Sequence, residues 1–267
     1  MARIESAASL KTRFSKPAAR LLIVPSFGCR SQCRHCSFKP VPETPRFIRP
    51  CDLDVQLAEL TKAGLLPENV VVDYSGGGNP PDHPRLDEIT AVVRKHAPLA
   101  KINVFWSFLG VPSEEALVRR TRGANRLIVP ADYFHDRGLK SELFPKDAAA
   151  PSSGRRYATT RAMVDRLKWA FNAAERNGLK LHVGVMSQSL KAPRSHSRLL
   201  QRVRVAAVEH GRFEPRVFYF ERKPTGGDVE RPFPGLVIHH DCRVSDRYEL
   251  PPKGIPVGKP INFPRAK

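Results

Sequence analysis

The chain reads as an α/β protein built on a parallel sheet. Six short apolar runs with strand character alternate with stretches of helical periodicity. The segments richest in cysteine, glycine and acid each follow one of those runs directly. Alternation of this kind predicts parallel pairing through right-handed crossovers. Two closures satisfy it: a doubly wound sheet, or a barrel that need not be complete. In either, ligands gather at the carboxyl ends of the strands, where the three unusual loops would meet.

In chain order, the first strand covers about 20–27, with Leu21-Leu22-Ile23-Val24 as its apolar run, and ends at a loop holding Cys29, Cys33 and Cys36. Pro40, Pro42, Pro45 and Pro50 then mark an irregular surface loop. Asp52 is placed to cap a helix whose apolar face is Leu53, Leu57 and Leu60, with Gly64 as its stop. The second strand, 69–74, runs into Ser75-Gly76-Gly77-Gly78-Asn79-Pro80. A helix near 84–96 sets Ile89, Val92 and Val93 on one side, and a third strand over 102–108 leads to a short helix from Ser113. The fourth strand, 127–129, precedes a long loop from Asp132 to about Arg156. A helix over about 158–177 aligns Met163, Leu167, Phe171 and Ala174 and stops at Gly178. The fifth strand (179–186), a basic helix (about 193–210) and the sixth strand (216–220) follow. From Pro224 onward there are eight prolines and no periodicity, which predicts an extended wrap or tail. The expected organisation is a basic tail (1–19), a core (20–222) and a Pro-rich extension (223–267).

Composition bounds the function. Among 267 residues, 45 Lys+Arg face 26 Asp+Glu, a formal net charge of +19. That excess predicts an anionic partner such as RNA, a nucleotide or an acidic peptide. No apolar run approaches the roughly 18 to 20 residues of a membrane span, so no membrane partner is expected. Five cysteines, three of them clustered, are not a secreted disulfide framework, and a reducing cytosol is the expected compartment. Residues 1–20 carry one acid, Glu5, and no apolar signal core. They read as a plain extension, with a transit peptide as the alternative.

The chemistry centres on Cys29-x3-Cys33-x2-Cys36. Three thiolates in one loop suit an iron–sulfur cluster or a thiophilic metal, and at a four-site centre they leave one position to another ligand. A zinc site completed by His35 or His240 is the alternative. The Gly76–Gly78 run would be an ordinary turn elsewhere, and no Lys-Ser/Thr follows to make it a P-loop. Cys51, at a helix start, reads as passive. His239-His240-Asp241-Cys242 reads as an exposed polar turn, with a second metal site or a hydrogen-atom donor as the sharper alternatives. Arg194, Arg198, Arg202 and Arg204 form either a solvated helix face or a phosphate-binding one.

The cysteine spacing after a first strand resembles that of radical S-adenosylmethionine (SAM) enzymes. The resemblance spans about residues 20–220 and implies a partial (β/α)6 TIM-like barrel. It further implies a [4Fe–4S] cluster on Cys29, Cys33 and Cys36, with SAM on the remaining iron, reductive cleavage to a 5′-deoxyadenosyl radical, and an electron donor such as flavodoxin or ferredoxin. His35, before the last cysteine, matches a position near the adenine. Gly77-Gly78-Asn79-Pro80 is similar to the family's Gly-Gly-Glu-Pro, which receives the methionine amino group; here Asn79 replaces the glutamate. Ala131-Asp132 followed by His135-Asp136-Arg137 looks like a ribose-side pattern of peptide-modifying members, with Tyr133 where a glycine stands. Ser107, Asp132 and Ser187 are the expected ribose contacts, the serines having strand-end turns as their plainer reading. Two cysteines outside the triad are too few for a second cysteine-ligated cluster. Two readings from other classes stay open: a basic zinc-containing nucleic-acid-binding protein, and a catalytically silent Fe–S protein.

Overall fold

The computed structural model describes residues 2–29, 45–130, 152–187, 216–221 and 232–247. In order these form α1 (Ala7–Arg13), β1 (Arg20–Ile23), β2 (Ser26–Phe27), β3 (Arg46–Phe47), α2 (Pro50–Lys62), β4 (Val71–Tyr74), α3 (Leu86–His96), β5 (Lys101–Phe105), α4 (Glu114–Arg120), β6 (Arg126–Pro130), α5 (Ser152–Asn177), β7 (Lys180–Ser187), β8 (Arg216–Glu221), β9 (Pro232–Ile238) and β10 (Val244–Arg247). One sheet contains eight strands in the order β10-β9-β1-β4-β5-β6-β7-β8. Seven are parallel, and β10 runs antiparallel to β9. All six expected strands are present, and from β1 to β8 they lie side by side in chain order. Cys33, His35 and Cys36, Asp132 and its loop, and the basic helix at 193–210 fall outside the described residues.

The helices owe their faces to apolar spacing. Leu53, Leu57 and Leu60, at i, i+4 and i+7 of α2, are fully buried. The start of α2 differs from expectation: Arg49 is the N-cap and Pro50 opens the helix, a position where its missing N–H costs nothing. Asp52 lies in the first turn, paired with Arg49 at 2.6 Å, where a carboxylate also meets the positive end of the helix. Gly64, at φ +72°, ends the helix, with the Leu65 N–H donating back to the Leu60 carbonyl at 3.0 Å. In α3, Ile89 and Val93 are buried and Val92 is half-exposed. Ser113 caps α4 by accepting from the Ala116 N–H at 3.2 Å. Helix α5 begins at Ser152, earlier than its periodicity suggests, and buries Leu167, Phe171 and Ala174.

The strands treat their two faces differently. Leu21, Ile23, Val72, Tyr74, Ile102, Val104, Leu127 and Val129 join the helices in one apolar core. The alternate residues are more polar. Leu22, Asp73, Asn103 and Arg126 share one row of the register across four strands. Asp73 is buried there, accepting from Asn103 Nδ2 at 2.7 Å and pairing with Arg20.

Both chain ends depart from the sequence reading. Residues 2–13 are an arm rather than a loose tail, with Leu10 of α1 fully buried. The Arg3 N–H donates to the Asp241 carbonyl (2.7 Å), and the Glu5 carboxylate accepts from the Val244 N–H (2.7 Å) and pairs with Arg13. The arm's amides at Glu5 and Ala7 donate to Gln56 and Glu59 of α2, each at 2.8 Å. At the other end, β9 pairs in parallel with β1 instead of wrapping over the sheet. Gly235 permits this, because a Cβ there would overlap the Arg20 carbonyl. Such a strand carries no periodic signal: its apolar run, Leu236-Val237-Ile238, is three residues long, between Pro234-Gly235 and His239. Among the described residues, no helix is long and apolar enough to cross a membrane.

Candidate functional site

The cysteine loop and the glycine loop leave adjacent strands at the same end of the sheet and are joined through their backbones. After β1 the chain passes through β2 to Gly28, at φ +129°, and Cys29. The Gly28 N–H donates to the Gly77 carbonyl at 2.8 Å, and Gly28 and Gly78 form a parallel bridge. The buried Ser26 hydroxyl donates to the Asn79 carbonyl at 2.9 Å. A Cβ on Gly78 would overlap the Ser26 carbonyl and lie 2.8 Å from the Ser26 hydroxyl and 2.9 Å from the Gly28 carbonyl. Glycine is therefore required at 78 for close approach, and at 76 and 77 for positive φ (+83° and +63°).

Asn79 is buried at the junction of the loops after β4 and β5. Its Oδ1 accepts from both the N–H (2.9 Å) and the hydroxyl (3.0 Å) of Ser107. Its Nδ2 donates to Asp82 Oδ1 (2.7 Å) and to the Leu109 carbonyl (2.8 Å). Two lone pairs and two amide protons account for the whole capacity of the group. A carboxylate could make only the first pair of contacts. Asparagine at this position is thus explained by what surrounds it: the side chain is a tie between strand ends. Ser107 is half-buried beside it, with its hydroxyl proton given to Asn79.

The loop after β5 is held by two buried arginines that the sequence did not single out. Arg120 donates to the carbonyls of Pro81 (2.6 Å) and Gly110 (3.0 Å), and burial lowers its pKa. Arg166 of α5 donates to the carbonyl of Phe108, a non-glycine residue at φ +67°. The Asp82 carboxylate lies where a Cβ of Gly110 would be. On the other side His83 is buried and joins this region to the approach of α2. Its Nδ1 accepts from the Arg85 N–H (3.0 Å), so Nε2 carries the proton and donates to the Ile48 carbonyl (2.8 Å).

The turn between β9 and β10 reaches the same end of the sheet, because β9 is parallel to β1 and Val24 N–H donates to the Ile238 carbonyl at 2.9 Å. The His240 ring stacks on Phe27, two residues before Cys29, with centroids 4.6 Å apart and planes 12° from parallel. The reading of 239–242 as an exposed polar turn is corrected: His239 and Cys242 are buried. The turn is built by mutual bonds, Cys242 N–H to the His239 carbonyl and His239 N–H to the Arg243 carbonyl, both 2.9 Å. Burial pushes the Cys242 thiol up to about 12, which keeps it protonated, and Cys242 holds φ +65°. Burial also lowers the pKa of His240. Cys51 is exposed, with Sγ 3.8 Å from Asp52.

Burial depresses His239 to about 4, and one of its ring nitrogens lies 2.9 Å from the Ser245 hydroxyl. An unfolded chain would take up that proton near 6.5. Between those values the unfolded state binds more protons, so stability is full above about pH 6.5 and falls as the pH drops toward 4, by up to about 3 kcal/mol. His239→Gln is expected to flatten thermal stability across this window. A variant that keeps the full wild-type slope would refute the assignment.

Of the expected site residues, Cys29, Gly77, Gly78, Asn79 and Ser107 are brought together. Ser187 ends β7 at the same side of the sheet. Cys33, Cys36, His35 and Asp132 lie outside the described residues. Among the described residues no three metal-ligating side chains cluster. Cys29 is half-buried at the strand end and has a glycine backbone packed beside the segment that carries it. Those features, with the thiolate chemistry of the loop, fit one corner of an iron–sulfur site.

No protein-family model matches the chain, and no curated protein does. Among solved structures it is similar to a cobalamin-dependent S-adenosylmethionine radical enzyme, OxsB, with aqua-cobalamin bound. The identity is 13% and the TM-score 0.38, over 68% of this chain. The matched part covers 26% of that protein, so this chain spans about a quarter of its length.

Proposed function

We propose that the chain is a radical SAM enzyme, with Cys29, Cys33 and Cys36 holding a [4Fe–4S] cluster at the open end of a partial (β/α)6 barrel. The observation that carries this reading is the backbone join between the cysteine loop and the glycine loop, Gly28 N–H to Gly77 carbonyl with the Gly28–Gly78 bridge. It brings two sequence features far apart in the chain to one end of the sheet, which supports this reading. The run β1-β4-β5-β6-β7-β8 advances in one direction, as a partial barrel requires, and β9 adds in parallel on the other side of β1. The polar row of Asp73 and Asn103 on the face away from the apolar core suits a barrel interior open to a ligand.

When bound and reduced, the cluster supplies the electron that cleaves SAM. The chain's own contribution is placement. Gly76, Gly77 and Gly78 bring backbone against the strand that carries Cys29. Asn79 fixes Ser107 and the loop after β5, and the methionine end of SAM would meet the glycine backbone rather than the saturated Asn79 side chain. Ser107 keeps hydroxyl lone pairs for a ribose. His35 and Asp132 complete the adenine and ribose sides in this reading. The electron donor would be of the flavodoxin or ferredoxin type in a reducing cytosol, and the substrate anionic.

Asn79 also favours a second reading, an Fe–S protein that does not cleave SAM, because its acceptor atoms are already used. Anaerobic reconstitution with iron and sulfide, followed by SAM and dithionite, separates the possibilities. The expected result is about four irons per chain in wild type, loss of the cluster in Cys29→Ala, and release of 5′-deoxyadenosine. Bound zinc without iron would sink both Fe–S readings. An intact cluster with no 5′-deoxyadenosine would select the second.

A further inference from the structure

We infer that the inner face of the sheet holds a phosphate-binding site centred on Arg126, flanked by Asn103, Lys101 and Lys180, which takes the terminal phosphate of a small ligand. The site lies outside the cysteine and glycine loops and is independent of the cluster assignment.

Strand alternation sets the face. Leu21, Val72, Ile102, Leu127 and Leu181 belong to the core shared with the helices, so the residues between them point the other way. On that face Leu22, Asp73, Asn103, Arg126 and Lys180 are successive register partners across β1, β4, β5, β6 and β7. Arg20 and Lys101 stand two residues earlier on β1 and β5, on the same side. Four cations therefore share these positions with one acid, Asp73.

That acid is already engaged: its carboxylate accepts from Asn103 Nδ2 at 2.7 Å and pairs with Arg20. Arg126 is left without a counterion. It is half-buried with its Nε out of solvent, and among the described residues no hydrogen bond reaches that nitrogen. The buried Arg120 and Arg166 both donate to backbone carbonyls. A buried guanidinium N–H without an acceptor is costly, and a bound anion would supply what the fold does not.

A phosphate suits this set. A guanidinium offers paired N–H donors to two oxygens of one phosphate. Asn103 gives one amide proton to Asp73 and keeps the second. Lys101 and Lys180 add positive charge, which matches a phosphate monoester dianion better than a single carboxylate. Enclosure selects a terminal group: Leu22 in the same row is fully buried, whereas a polymer backbone has to leave a site at both ends. Asn103 lies four residues before Ser107, about 13 Å along the strand. A ligand anchored by its phosphate and extended along β5 comes to the mouth of the sheet.

Calorimetric titration of the reconstituted full-length chain with inorganic phosphate, ribose 5-phosphate and ribose tests the site, together with thermal unfolding. Both phosphate probes are expected to bind and ribose is not, and Arg126→Gln should weaken binding by about tenfold or more. Arg126→Lys keeps the charge without the planar fork and should lose part of the affinity. Arg122→Gln removes an equal charge from an exposed position and should stay within about twofold of wild type. Without ligand, Arg126→Gln should unfold at the wild-type temperature or above, because it removes a buried donor that has no acceptor. Phosphate should raise the melting temperature of wild type and leave that of Arg126→Gln unchanged. Binding confined to inorganic phosphate upholds the site and assigns it to the free ion. The inference is overturned by absence of phosphate binding, by equal loss in Arg122→Gln, or by a ligand-free Arg126→Gln that melts well below wild type. An RNA oligonucleotide that binds through Arg126 while both small probes fail overturns the small-ligand assignment. Iron content enters none of these outcomes, so the cluster reading stands or falls separately.

Discussion

Asn79→Glu, which restores the residue that the resemblance would place there, is expected to damage the protein. The glutamate would bring a second carboxylate to the Asp82 oxygen that Asn79 Nδ2 now meets at 2.7 Å, and would face the Leu109 carbonyl without a proton to give. A buried charge left without a partner costs about 3 to 5 kcal/mol, which for a chain of this size lowers the melting temperature by roughly 10 °C. SAM affinity should fall or stay level. Asn79→Ala loses the same ties without adding charge, and each buried polar group it strands costs about 1 to 3 kcal/mol. Adding Asp82→Asn to Asn79→Glu supplies an amide donor and should recover part of the loss. Thermal unfolding and SAM titration decide it. A stable Asn79→Glu protein that binds SAM more tightly would mean that the side chain at 79 turns to the ligand, and the tie described here would be wrong.

Gly78→Ala is the second large effect. The new methyl would overlap the Ser26 carbonyl, which is backbone and has no rotamer to adopt. Relief requires the cysteine-bearing segment and the glycine loop to move apart, breaking the Gly28–Gly77 bond. Overpacking of this kind costs about 3 kcal/mol. Gly64 and Gly178 provide the contrast, since a Cβ at either meets nothing within 4 Å and only their positive φ opposes substitution. Alanine there should cost about 1 kcal/mol. The difference should also appear in iron loading: Gly78→Ala is expected to lose cluster after reconstitution, whereas Gly64→Ala keeps it. Equal iron content in the two variants would separate the Gly28–Gly78 bridge from the metal site.

The legible parts of this chain were those in which a local pattern and its structural cause coincide. An apolar run such as Leu21–Val24 marks a buried strand. The spacing of Leu53, Leu57 and Leu60 marks a buried helix stripe because those positions share one side of a 3.6-residue period. The glycines of 76–78 follow a strand end, and their necessity is steric. Other elements carried no such pattern. Strand β9 has an apolar run of only three residues, and helix α1 buries one leucine, so neither shows a period. His239 and Cys242 looked like exposed polar residues because nothing local says that they are buried, or that an arm from residues 2–13 bonds to Asp241 and Val244 beside them.

The sequence by itself determined the α/β class and six strands in parallel, and it carries a thiolate loop whose residue types suit iron and sulfur. Those follow from periodicity, chain connectivity and donor chemistry, which are local or topological. Tertiary structure alone decided what each residue at the strand ends is available to do. Asn79 is consumed by Ser107, Asp82 and Leu109, while His240, more than two hundred residues downstream of Phe27, stacks on its ring. A side chain's capacity is written in its residue type. Whether that capacity is already used depends on partners that folding brings from elsewhere in the chain.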